Sequence, residues 1–129
     1  MTERVTAAPG PIGIMQAVCD TAFPYAHDRK QFGRPIGKFQ LIQGKMAEMY
    51  STLAACRAFT YTTIRAAERD DLTNHDCAAL LLYVSEAATK VALDGIQILG
   101  GNGYSEFIFL ITITKHHSSQ RLSDWAFPS

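Results

Sequence analysis

Apolar residues recur along this chain in two regular runs and one interrupted run. Ile42, Met46, Met49, Leu53, Cys56 and Thr60 step by 4, 3, 4, 3 and 4. Cys77, Leu81, Val84, Ala88, Val91, Gly95 and Ile98 step by 4, 3, 4, 3, 4 and 3. That spacing keeps side chains on one face of an α-helix. The first run predicts a helix from Gln40 to Arg69, with Phe59 filling the seam beside the polar Thr60. The second predicts a helix ending near Leu99, where Gly100-Gly101 stops it. Asp70-Asp71-Leu72-Thr73 separates the two. Thr73 is the expected cap of the second helix, with Asp76 at its third helical position completing a capping box.

The interrupted run lies upstream. Ile12, Met15, Cys19, Ala22, Phe23 and Ala26 predict a helix over Thr2–Gln31. Pro9 and Pro11 should break it and Pro24 should bend it, because proline removes a backbone donor and clashes with the preceding turn. Phe32 to Lys38 carries two glycines and one proline in seven residues and reads as a loop.

Short connections between long helices imply antiparallel neighbours. The fold class is therefore all-α: an incomplete up-and-down four-helix bundle of three long helices over residues 1–104. Residues 105–129 form an irregular tail, expected to be poorly ordered. Phe107–Thr114 is rich in strand formers and has no helical period, and Lys115–Gln120 is polar.

Composition narrows the function classes. The chain has 129 residues, one domain's worth, and 12 basic against 12 acidic residues. A net charge of zero excludes the strongly basic footprint of a nucleic-acid binder. No apolar run reaches the ~20 residues that span a bilayer, so no membrane partner is expected. Three cysteines, Cys19, Cys56 and Cys77, without CxxC spacing, read as reduced, partly buried thiols. The N-terminus shows no targeting peptide. His116-His117 reads as a solvated pair, no cluster has zinc spacing, and no metal site is expected. Gly100-Gly101-Asn102-Gly103 follows a helix rather than a strand and so is no Rossmann or P-loop turn. Taken singly, Arg29 suits a helix C-terminus, Gln40 and Gln97 are ordinary polar helix residues, and the glycines are caps.

Together these residues are more specific. RKQFGRPIGKFQLIQGKMAEM (29–49) followed by ALDGIQILGGNGY (92–104) resembles the C-terminal helical domain of the acyl-CoA dehydrogenases. Gly10-Pro11-Ile12-Gly13, Pro24-Tyr25, Gln43–Tyr50 and Asp76-Cys77-Ala78 are most similar to the isovaleryl-CoA dehydrogenase branch, which serves leucine breakdown. The resemblance implies FAD-dependent α,β-dehydrogenation of a short branched acyl-CoA: a carboxylate takes the α proton and the β hydrogen leaves as hydride to FAD. It implies that Glu3 is the catalytic base and that Arg4 lines the substrate pocket beside it. It implies that Arg29 and Gln40 contact the FAD diphosphate across a subunit interface. Gln97, Ile98, Leu99, Gly100 and Gly101 would lie against its adenosine part. It also implies a mitochondrial matrix location and a homo-oligomer, a tetramer in the family, or pairing with a full-length subunit.

The chain departs from the pattern at Thr2, where the family has leucine, at Pro9, and after Tyr104. It corresponds to about a quarter of such an enzyme and lacks counterparts of the N-terminal helical and β-domains, so it is expected to be inactive alone. The alternative expectation is a non-catalytic helical module that drives oligomerisation or binds a partner subunit through its unpaired seam.

Overall fold

The computed structural model describes residues 2–101. The expected tail, 105–129, lies outside them. Six main elements follow in order: α1 (Thr2–Ala7), α2 (Pro9–Asp28), β1 (Lys30–Gln31), β2 (Arg34–Pro35), α3 (Gln40–Glu68) and α4 (Asn74–Leu99), with a single 3₁₀ turn over Ile36–Lys38 before α3.

The expected break falls at Pro9. Pro9 opens α2 at a position whose N–H would be orphaned anyway, so the chain breaks after Ala8 and restarts. Pro24 lies inside α2, which continues to Asp28. The helix stops three residues short of Gln31. What was expected as a plain loop contains a two-residue hairpin in which Gln31 pairs with Arg34 and Lys30 with Pro35. Phe32 and Gly33 form its turn with φ of +54° and +81°. Positive φ at both central residues is the type I′ requirement, and it matches the right-handed strand twist.

α3 and α4 are antiparallel, and two ion pairs record the register. Lys45 meets Asp94 at 3.1 Å and, one turn on, Glu48 meets Lys90 at 3.2 Å. α2 packs on both helices, giving an up-down-up trio around one core. Met15, Val18, Ala22 and Ala26 come from α2, Met49, Leu53 and Cys56 from α3, and Leu80, Val84, Ala88, Val91 and Ile98 from α4.

Two seam positions differ from the reading above. Thr60 itself occupies the seam at 5% exposure, its hydroxyl donating to the Cys56 carbonyl at 2.8 Å, while Phe59 is only partly buried. The hydroxyl is satisfied within its own helix, so burying it costs little. Leu80 is fully buried and Leu81 only partly so. α4 packs between two helices, and its buried stripe is wider than a 3–4 seam.

The α4 cap forms as expected. The Asp76 carboxylate accepts from the Thr73 N–H (3.1 Å) and hydroxyl (2.6 Å), and the Asp76 N–H donates to the Thr73 hydroxyl (3.2 Å). These bonds hold the Asp76 carboxyl below its ordinary value. All three cysteines are buried and free. Burial pushes the Cys56 thiol up to about 11. Cys19 is raised chiefly by burial too, then by the Asp20 charge, against Arg57.

Candidate functional site

Where α2 ends, α3 begins and α4 ends, the three helix termini enclose a cleft of about 470 Å³. Tyr25 and Arg29 contribute from the end of α2, and Gln31 and Phe32 from the hairpin. Ile36, Phe39 and Ile42 form the side nearest α3, and Ile98, Leu99, Gly100 and Gly101 the side at the end of α4. The up-down-up order brings these segments together, because α2 and α4 run the same way and α3 returns between them.

The C-termini of α2 and α4 bring partial negative charge to this end, but in the segment 28–40 that borders the cleft Arg29, Lys30, Arg34 and Lys38 stand against Asp28 alone. Phe39 caps α3 without a side-chain hydrogen bond, and the first turn of α3 holds no acidic residue. The free N–H groups of a helix start carry about half a positive charge. Here no carboxylate of the same helix offsets them. Arg29 is exposed at the mouth and makes no ion pair with any described residue. Lys38 is exposed just before α3. Such an end attracts an anion.

The opposite wall is bare backbone. Among the described residues, no atom lies within 4 Å of a Cβ built on Gly100 or Gly101. Gly100 also adopts φ +61° as the C-cap of α4, its N–H donating to the Ile96 carbonyl at 2.9 Å. No described side chain or backbone covers either position, and glycine adds no side chain of its own between backbone and ligand.

Of the candidate cofactor residues, Arg29, Ile98, Leu99, Gly100 and Gly101 line this cleft. Ile98 and Leu99 are buried in its floor. Gln40 and Gln97 stand beside it, exposed, on the first turn of α3 and the last turn of α4. Glu3 and Arg4 are elsewhere. They lie exposed on α1, beyond the start of α2. From Pro9 to Tyr25 the helix rises about 24 Å, and α1, at six residues, is too short to bridge that distance. Within one chain the candidate base and the cleft occupy opposite ends of the bundle.

The sequence marked Ile42 as a seam residue and Tyr25 and Ile36 as parts of the resemblance segments, but none of them as a site residue. They carry no chemical signature and become cleft residues only because three helix ends meet. The hairpin was missed because Phe-Gly is a weak type I′ signal beside Asn-Gly or Asp-Gly. Among the described residues no group of three His, Cys, Asp or Glu could hold a metal ion. Nor is any helix long and apolar enough to cross a membrane.

Comparison with known proteins gives a consistent result. The family profile described as "Acyl-CoA dehydrogenase, C-terminal domain" matches residues 1–126. The mitochondrial isovaleryl-CoA dehydrogenase of Bos taurus is 57% identical over 102 residues, 79% of this chain and 24% of that protein. The butyryl-CoA dehydrogenase structure from Megasphaera elsdenii superposes with a TM-score of 0.75 at 33% identity, covering 78% of this chain and 26% of that one. PigA, solved with FAD and proline, superposes with a TM-score of 0.75 at 29% identity over 78% of this chain and 26% of its own. The chain thus spans about a quarter of the length of the relatives it matches.

Proposed function

This chain belongs to the acyl-CoA dehydrogenase family, and we propose that it supplies the C-terminal helical part of an FAD-dependent enzyme acting on isovaleryl-CoA or a similar short branched acyl-CoA. The observation that carries the reading is the cleft. Among the described residues it combines an uncapped helix start, an arginine without an ion-pair partner, an apolar floor and two uncovered glycines in one place. That donor set fits a dinucleotide. The diphosphate would accept from the Arg29 guanidinium and the first N–H groups of α3, with Gln40 donating an amide hydrogen. The flat adenosine would lie along Ile98, Leu99, Gly100 and Gly101, with Gln97 at its edge.

Bound FAD would supply the acceptor for the β hydrogen. The chain's own chemistry would rest on Glu3, whose carboxylate takes the proton from the α carbon of the thioester, with Arg4 lining the pocket beside it. Glu3 and the cleft lie at opposite ends of the bundle. We therefore infer that they serve different cofactor molecules in a homo-oligomer, Arg29 and Gln40 reaching the FAD of a neighbouring subunit. The mitochondrial relative supports a matrix location and a role in leucine breakdown. Alone, the described residues leave the cleft open, and water-exposed geometry forfeits orientation and desolvation. These 129 residues by themselves are expected to turn over no acyl-CoA.

Titration of the purified chain with FAD, followed by the visible flavin spectrum, tests the reading. A saturable spectral change is expected. Arg29→Ala should weaken binding about 10- to 100-fold, the range for a lost charge-assisted hydrogen bond. A flavin spectrum identical to that of free FAD at every protein concentration would refute it. A defined oligomer without flavin would point instead to a purely assembling helical module.

A further inference from the structure

Phe32 occupies an unusual position. It is 93% exposed and holds φ +54°, a conformation that costs a bulky L-residue about 1 kcal/mol or more. The described structure gives it one stabilising ring contact. Its ring meets Phe39 edge-on, with centroids 6.4 Å apart and planes at 83°. Phe39 in turn carries Arg34, whose guanidinium carbon lies 4.4 Å from the ring centroid. Phe32 and Phe39 line the cleft, whereas Arg34 stands outside its lining. Phe39 is also the residue from which α3 starts, immediately before Gln40.

We propose that Arg34 is a positioning residue for the cleft. Its guanidinium, stacked on Phe39, clasps the hairpin to the start of α3 and holds Phe32 as one wall of the site. It thereby raises affinity for the cofactor without touching it. The inference rests on the reading that the cleft takes the dinucleotide. The physical ground is that a two-residue hairpin is marginal by itself, and this one has a strained residue at its tip. A planar cation over an aromatic face is the contact that joins β2 to the α3 start.

The test uses the full chain, with Arg34→Gln removing the cation and Arg34→Lys restoring it without the planar fork. Two quantities are read: the FAD dissociation constant from the flavin spectrum, and amide hydrogen exchange of residues 30–36 without FAD. Arg34→Gln is expected to weaken FAD binding and speed exchange in the hairpin together, each by about two- to five-fold, as fits an exposed cation–π contact. Exchange in the cores of α3 and α4 should stay unchanged. Arg34→Lys should recover much of both effects. Weakened binding with unchanged hairpin exchange would overturn the proposal, since Arg34 would then act only as a charge near an anion. Faster exchange with unchanged affinity would overturn it from the other side. If the wild-type chain binds no FAD, the dinucleotide reading fails, and hairpin exchange unaltered by Arg34→Gln would separately refute the clasp.

Discussion

Placing one methyl group at Gly95 should destabilise this bundle although alanine is the better helix former. Gly95 is buried on α4 where that helix crosses α2. A Cβ there would overlap Val18 Cγ1 and lie 3.7 Å from Met49 Cε. Met49 can swing away. Val18 cannot, because a β-branched side chain in a helix keeps essentially one rotamer. Relief then requires α2 and α4 to move apart, and overpacking of this kind costs about 1–3 kcal/mol. Replacing glycine within a helix returns about 1 kcal/mol. The net expectation for Gly95→Ala is a loss of about 1 kcal/mol, which lowers the urea midpoint by about 0.5 M at ordinary slopes.

The partner substitution sharpens the test. Val18 is fully buried, and Val18→Ala removes two methyl groups and leaves a cavity, at a cost of about 2 kcal/mol or more. In the double variant the new methyl at position 95 enters the space vacated at position 18. Its loss should therefore be smaller than the sum of the single losses by 1 kcal/mol or more. Urea melts followed by circular dichroism at 222 nm measure all four corners of the cycle. A Gly95→Ala variant as stable as wild type, or strictly additive losses, would refute the reasoning that these two helices meet through glycine.

Two further outcomes follow from the packing and the cap. Leu80→Ala should cost about 2–5 kcal/mol in a denaturant melt and Leu81→Ala distinctly less, because only Leu80 is fully buried; equal losses would contradict the α4 orientation. Asp76, whose carboxyl is held below its ordinary value, stabilises the fold above the unfolded value of 3.8, and this contribution is lost as pH falls through the lower folded value. Asp76→Asn should therefore lower the melting temperature at neutral pH and converge with wild type in acid, and a gap that persists in acid would exclude the capping carboxylate as its source.

Much of the bundle was legible in the sequence because helix formation and capping are local. The 3–4 spacing in 42–60 and 77–98, the Thr73–Asp76 pair and Pro9 each act within a turn or two, so the sequence carries their consequences directly. The motif segments 29–49 and 92–104 likewise marked the residues that turn out to flank one cleft. Tertiary structure decided the rest. Leu80 prevails over Leu81 because helices on two sides of α4 widen a buried stripe that periodicity alone draws narrow, and Thr60 keeps its periodic place in the seam because its hydroxyl is satisfied by the Cys56 carbonyl. The type I′ turn at Phe32-Gly33 is held by contacts to Phe39, seven residues from Phe32, which no local propensity encodes. The separation of Glu3 from Arg29 is likewise a property of the assembled fold. Their sequence distance is modest, but a rigid α2 between them places them at opposite ends.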